Sequence, residues 1–225
     1  YLIYFQKDLQ IQKSPLNYSG SKDTLVPQII SELPKSVSYF VDVMGGAFNV
    51  GSNIFATNSV QYNEINPHIF HLIQWLQTCP KTKIIKSIEN KISEYELSKR
   101  NKESYERFRN EYNNNDASPL NLFVLHMYAF QKMLRFNGSQ KFNTPIGVAG
   151  YSEDMRERIE SFSYKSKNVV FTNQDYVTLN WESYPKDTVF YFDPPYYITT
   201  ASYNDGKRGG KGWSIDEELE LLDIL

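Results

Sequence analysis

Asp193-Pro194-Pro195-Tyr196 follows an apolar run, residues 188–192, that reads as a β-strand. Two prolines fix backbone angles and remove two N–H donors, so the carbonyls there remain as acceptors beside a carboxylate and an aromatic ring. That set can hold a planar amine, with two acceptors taking its N–H bonds while the ring stacks on its face. The same tetrapeptide can also serve only to stop a strand. A second candidate is Asp42-Val43-Met44-Gly45-Gly46-Ala47-Phe48-Asn49-Val50-Gly51, a strand end running into a glycine-rich turn that lets backbone approach a ligand closely. It is neither a dinucleotide fingerprint nor a P-loop, so phosphate cradling is poorly supported. The third, about 20 residues on, is Tyr62-Asn63-Glu64-Ile65-Asn66-Pro67. An acid at a strand end can accept both ribose hydroxyls of a nucleoside-containing cofactor, or simply lie exposed in a turn.

The elements that must position these groups are legible from apolar runs and breaker residues. Strands are expected at residues 37–43, 59–63, 168–172 and 188–192. A short helix is expected over 24–33, with Leu25, Ile29, Ile30 and Leu33 on one stripe, and others at 48–56 and 69–76. Ile84, Ile88, Ile92 and Tyr95 recur at helical spacing within a basic stretch that Asn113-Asn114-Asn115-Asp116 breaks. Ser118-Pro119 reads as the N-cap and first residue of a helix running toward Leu134, residues 135–150 as loop or hairpin, and Ser214-Ile215-Asp216-Glu217 as a capping box. Strand–helix–strand at the start and further strands at the end argue for an α/β sheet, with about 100 mostly helical residues inserted. The chain ends in an apolar helix with no following strand, which suggests an incomplete domain.

Composition narrows the function. The chain has 225 residues, 40% of them hydrophobic and 22% charged, which is enough to build a sizeable core. One cysteine and three histidines argue against disulfide scaffolds and Cys/His metal sites. No apolar run reaches the length of a membrane span, and Tyr1-Leu2-Ile3-Tyr4-Phe5 is followed at once by Lys7 and Asp8, unlike a signal peptide. The expectation is a soluble, intracellular protein. The net charge of −2 conceals an asymmetry: residues 67–165 carry 15 Lys and Arg against 11 Asp and Glu, and the rest is acidic. A basic middle in an acidic body suggests two functional parts, or a solvated helix face.

Taken in order, these motifs resemble those of the Dam-like adenine-N6 DNA methyltransferases, the D12 class. Asn17-Tyr18-Ser19-Gly20-Ser21-Lys22 precedes the glycine turn, Glu64-Ile65-Asn66-Pro67 and Asp-Pro-Pro-Tyr. Residues 135–147, from Arg135-Phe136-Asn137 to Phe142-Asn143-Thr144-Pro145, look like that family's target-recognition stretch, and Phe171-Thr172-Asn173-Gln174-Asp175-Tyr176 like its adenine-binding segment. The resemblance implies a Rossmann-like methyltransferase sheet from residues 1–66 and 166–225, lacking its last strands, and an inserted, mostly helical target-recognition domain at 67–165. It implies S-adenosylmethionine as cofactor, double-stranded DNA as substrate, no metal, a possible cognate restriction endonuclease, and a cytoplasmic prokaryotic or phage setting. Tyr18, Lys22, Asp42, Gly46, Glu64, Asp175, Tyr176 and Asp193 would hold the cofactor. Asp193, Pro194, Pro195 and Tyr196 would hold the target adenine. Arg135, Asn137 and Asn143 would contact DNA from a hairpin, and Lys83, Lys86, Lys91, Lys99 and Arg100 would meet phosphates. An RNA adenine methyltransferase and a catalytically impaired DNA-binding module are the alternatives. The sequence departs from the family pattern in the glycine turn, where Val43, Met44 and Phe48 stand for Pro, Phe and Gly, and at Gln140, which stands for Gly.

Overall fold

The computed structural model describes residues 10–18, 20–195 and 213–224. Four parallel strands form its sheet: β1 (Val37–Asp42), β2 (Ala56–Asn63), β3 (Val169–Thr172) and β4 (Thr188–Tyr191), in the spatial order β3-β2-β1-β4. The chain moves outward from β1 to β2 to β3, then returns to the other side of β1 for β4. The order therefore reverses between β1 and β4, the kind of switch point where open α/β sheets bind ligands beyond their carboxyl ends.

Alternation along β1 explains why both faces are covered. Phe40 packs into the larger cluster with Val60, Ile69 and Phe123, whereas Val41 points into a smaller one with Tyr176, Leu179 and Leu221. The larger face is covered by α1 (Val26–Glu32) and by α2 (Pro67–Thr78), α3 (Lys81–Glu94), α4 (Lys102–Asn114), α5 (Pro119–Tyr128) and α6 (Glu153–Ser161), which together join β2 to β3. α5 is the hub: Leu122 through Tyr128 are all buried, and α2, α3 and α4 pack around it. The helices and the sheet share one continuous apolar cluster. α7 (Ile215–Ile224) closes the smaller face through Leu221. No helix among the described residues is long and apolar enough to cross a membrane.

Local chemistry sets the boundaries. The Asn66 side chain accepts from the backbone N–H groups of His68 and Ile69, with Pro67 as first helical residue of α2. The Ser118 side chain accepts from Asn121 at the start of α5, and Glu217 accepts from the Ser214 backbone N–H before α7. Four expectations need correction. Residues 48–56 form no helix beyond a 3-10 turn, Gly51–Asn53. Asn49 and Asn53 instead accept from the Ser14 and Gln12 backbone N–H groups, and those bonds hold the segment out of helical form. The basic stretch is two helices: Glu96 adopts φ 53°, and Asn101 caps α4 by accepting from Ser104. α5 stops at Tyr128, short of Leu134, because the backbone turns extended at Ala129 (ψ 152°), and the left-handed Gln131 and Lys132 that follow, both at φ 52°, keep it from resuming. Leu25, just before α1, is exposed, and Val26 takes its place in the core.

Phe48 is fully buried and left-handed at φ 60°, at the position where the family pattern has glycine. Its ring packs edge-on against Tyr62 at 4.7 Å, which offsets the backbone strain. Truncating it should cost about 3–5 kcal/mol. Glycine should then be better tolerated than alanine by roughly 1 kcal/mol, the reverse of the usual order, because only glycine enters that backbone region freely. Urea denaturation of Phe48→Gly and Phe48→Ala measures this; Ala proving the more stable would show that the strain is absent.

Candidate active site

The register of the sheet delivers three carboxylates to one edge. Asp42 lies abreast of Tyr62 on one side and Tyr191 on the other, so Glu64 and Asp193 each stand two residues beyond that row. The paired backbones run on past the strands, with Val43 N–H donating to Tyr191 and Glu64 N–H to Thr172. A cavity opens there, lined by Tyr18, Lys22, Asp42, Gly46, Glu64, Asp175, Tyr176, Asp193, Pro194 and Pro195. Every cofactor residue expected from the sequence lines it. Tyr196 lies outside the described residues.

Each carboxylate is tied to backbone or to a cation. Asp42 is buried and accepts from Gly51 N–H at 3.0 Å; a Cβ on Gly51 would come within 2.8 Å of the same oxygen. Glu64 uses both oxygens, one on Gly46 N–H at 2.9 Å and the other on Asn66 N–H at 2.8 Å. It therefore shapes the glycine turn and the start of α2 as well as facing the cavity. Gly46 is left-handed at φ 49°, and its carbonyl accepts from the Tyr62 hydroxyl. Asp193 pairs with Lys22 at 2.5 Å, and Lys22 also donates to the Gly20 carbonyl at 2.7 Å.

Burial pushes the Asp42 carboxyl up to about 7, against the Gly51 hydrogen bond and with help from the nearby Asp193 and Glu64 charges. Asp193 is raised too, by burial, with Lys22 pulling the other way. Three acids facing one lysine favour a ligand that carries positive charge. Asp175 caps the following 3-10 turn through Val177 N–H, and the Tyr176 hydroxyl donates to Glu217 and Glu220. Tyr176 thus anchors α7 while it lines the cavity.

Sequence reasoning missed several supporting residues. Asn63 donates to the Val43 and Gln174 carbonyls and accepts from Thr172 and from Gln174 N–H, locking the ends of β1, β2 and β3 together. Asn173 donates to the Ile65 carbonyl. An Asn at the end of each of two neighbouring strands was the available signal. Asn49 links the Ser21 hydroxyl to the turn, and Trp213 lines the cavity.

The other candidates lie away from this cavity. Residues 135–143 form a hairpin closed by a Phe136–Phe142 bridge. Arg135 donates to the Asn143 side chain at 2.8 Å and to its carbonyl at 3.1 Å. The Asn137 side-chain oxygen accepts from Ser139 and Lys141 N–H groups, so it builds the turn. Lys83 and Lys86 are exposed on α3, Lys99 and Arg100 are exposed between α3 and α4, and Lys91 is paired with Glu94 at 2.9 Å.

Residues 18–225 match the D12 class of N6 adenine-specific DNA methyltransferases. The chain belongs to that family. It is 47% identical over its full length to modification methylase LlaI of Lactococcus lactis subsp. lactis, covering 36% of that protein. It is 39% identical over 95% of its length to modification methylase StsI of Streptococcus sanguinis, covering 33%. A DNA adenine methylase of Vibrio cholerae is 25% identical over 95% of the chain, with 76% of that protein covered. The D12-class chain thus spans about a third of the two modification methylases, and all but the first 17 residues fall within the family match.

Asp42 gives the cavity a pH signature. Its carboxyl ionises near pH 4 in the unfolded chain and near 7 in the fold. Over that window the unfolded state has lost a proton that the folded state keeps. The stability this group contributes is therefore full below about pH 4 and lost as the pH rises through 7. Asp42→Asn should remove that slope, so denaturation midpoints at pH 5 and pH 8 should lie closer together than in the wild type. An unchanged difference between the two midpoints would mean that Asp42 ionises normally in the fold.

Proposed function

We propose that the protein transfers a methyl group from S-adenosylmethionine to the N6 amine of adenine in a specific duplex DNA sequence. The observation that carries this is the convergence of Lys22, Asp42, Glu64 and Asp193 on one cavity at the sheet's switch point. The donor set suits the cofactor, because an acidic cavity favours a sulfonium and acceptors stand at a strand end where a ribose would lie. When bound, S-adenosylmethionine supplies an electrophilic methyl group. Tyr18 and Lys22 would orient it from the preceding strap, Glu64 would hold its ribose, Asp175 and Tyr176 its adenine, and Asp42 and Gly46 its amino-acid end.

The remaining chemistry belongs to Asp193 and Pro194. An aromatic amine's lone pair is delocalised into the ring and is a poor nucleophile. Hydrogen bonds from the amine to the Asp193 carboxylate and the Pro194 carbonyl favour a pyramidal nitrogen and concentrate that lone pair. Alkylated nitrogen must shed a proton, and Asp193, with its affinity for a proton raised by burial, is placed to accept it. Holding the reactants at attack distance supplies much of the remaining barrier reduction. The target base has to leave the duplex, at a cost of a few kcal/mol.

Residues 67–165 would carry the DNA contacts. Arg135 is the candidate base reader, released from Asn143 to pair with guanine. Asn137 gives its oxygen to the hairpin turn, so it is left with a single-donor contact in place of a bidentate pair with adenine. We infer a protective role beside a restriction endonuclease, in the cytoplasm; the modification methylases that the chain resembles support the modification part of that reading.

Asp193→Ala should lower turnover on duplex DNA by about 100-fold or more while the protein remains folded. Single-turnover transfer of a labelled methyl group reads this, and activity within a few-fold of wild type would remove Asp193 from the mechanism. Exchanging Lys83, Lys86 and Lys99 for Gln should weaken binding to all duplexes alike. It should also flatten the salt dependence by roughly 0.9 of a slope unit for each phosphate that is no longer neutralised. An unaltered slope would place the duplex elsewhere.

A further inference from the structure

The strap that carries Tyr18 and Lys22 is fastened from two sides. On the sheet side, the Asn49 side chain accepts from the Ser14 backbone N–H at 2.9 Å and donates to the Ser21 hydroxyl at 2.8 Å. On the helical side, the Asn17 backbone N–H donates to His126 Nε2 of α5 at 3.2 Å, and the Asn17 amide donates to the Gln131 carbonyl at 3.0 Å. Both of these acceptors belong to the last turn of α5 and the short stretch after it. Tyr18, the next residue, stands against Gly46, where a Cβ would come within 3.2 Å of the Tyr18 ring. The Tyr18 carbonyl accepts from Ser21 N–H at 3.0 Å, and Lys22 follows, paired with Asp193. Where Asn17 is held therefore decides where both cavity residues stand.

His126 does little for the core that an apolar side chain would not do as well. It is fully buried on a helix whose neighbouring residues Leu125 and Met127 are apolar and buried too, and its ring stacks on Phe123 at 5.8 Å. A neutral imidazole that accepts through Nε2 carries its proton on Nδ1. That nitrogen is buried and has no hydrogen-bond partner among the described residues, so the fold leaves a polar group unmatched. Burial, with the Lys132 charge adding to it, pushes the imidazole down to about 3, against the bond to Asn17, so the ring stays neutral and Nε2 stays an acceptor. What the imidazole contributes, and a leucine would not, is the acceptor for Asn17.

We infer that His126 is a positioning residue for the cofactor: through Asn17 it holds the strap in the place from which Tyr18 and Lys22 meet S-adenosylmethionine. The inference rests on the reading of the acidic edge as the S-adenosylmethionine site. A strap released from His126 spends less time in the binding position, and affinity falls with the fraction that remains. Bound cofactor then holds the strap itself, so turnover at saturating S-adenosylmethionine is preserved and the loss appears in affinity.

The test measures S-adenosylmethionine affinity by calorimetry, and turnover on duplex DNA at saturating cofactor, for His126→Leu, His126→Gln, Asn17→Ala and Lys22→Ala. His126→Leu keeps an apolar side chain in place without an acceptor. Its affinity should fall about 10-fold, as for a strap in position about a tenth of the time, with turnover within a few-fold of wild type. It should melt no lower than the wild type, because an unmatched buried group has gone. His126→Gln, whose amide oxygen can accept where Nε2 did, should bind the cofactor as the wild type does. Asn17 is exposed, so Asn17→Ala loosens the strap without touching the core, and its affinity should fall in the same direction. Lys22→Ala removes a cavity cation and should weaken binding however the strap is held. Wild-type affinity in His126→Leu and Asn17→Ala, with Lys22→Ala weakened, overturns the positioning role and leaves the cavity as the cofactor site. A loss in His126→Gln as large as in His126→Leu also overturns it, since the ring's shape and not its acceptor would then matter. Wild-type affinity in all four overturns the cofactor site, and the inference with it.

Discussion

Asp42, Glu64 and Asp193 converge where β1, β2 and β4 end, and the fold has to hold three acids together in a partly buried space. Desolvation and mutual repulsion both oppose this. The structure answers with fixed donors: Gly51 N–H on Asp42, Gly46 and Asn66 N–H on Glu64, and the Lys22 ammonium on Asp193. Backbone donors do not relax away, so they stabilise the charged forms at little entropic cost. They also explain the glycines. Gly46 must be left-handed to aim its N–H, and Gly51 must lack a Cβ to reach the Asp42 oxygen. The remaining imbalance, three acids against one lysine, is what a cationic ligand would relieve.

The parallel register makes this arrangement robust. Because Asp42 is central, with β2 and β4 on its two sides, a slip of either neighbour would carry Glu64 or Asp193 out of the cavity. Asn63 guards β2 against such a slip by bonding to the segments that follow β1 and β3. The helices between β2 and β3 are built on the same foundation, since α2 starts at the Asn66 cap, two residues after Glu64. Left-handed backbone recurs at the two positions where the family pattern has glycine and this chain does not, Phe48 and Gln140. In both places the backbone geometry that glycine permits is kept while a side chain has been added, and at Phe48 the packing against Tyr62 offsets the strain.

Much of this was legible in the sequence. The four strands were readable from Val, Tyr and Phe runs because a buried parallel strand needs little else. The helix starts at Asn66-Pro67 and Ser118-Pro119 were readable because capping is local chemistry. The cavity residues Lys22, Asp42, Glu64 and Asp193 were found through their resemblance to a family pattern; spacing alone could not show that they meet. Three features escaped, for different reasons. The absence of a helix at 48–56 depends on Asn49 and Asn53 bonding to Ser14 and Gln12. The break between α3 and α4 depends on a left-handed Glu96 that no pattern announces. The double duty of Asn137 and Tyr176, which shape the fold at positions expected to bind ligands, appears only when their partners are in place.

The central claim is that the acidic edge of the sheet is the cofactor site. A crystal structure of the protein soaked with S-adenosylmethionine tests it most directly. The account predicts electron density for the ligand in the cavity between Tyr18 and Asp193, with its ribose hydroxyls on Glu64. Well-ordered ligand density elsewhere on the molecule, with this cavity occupied only by water, would contradict it.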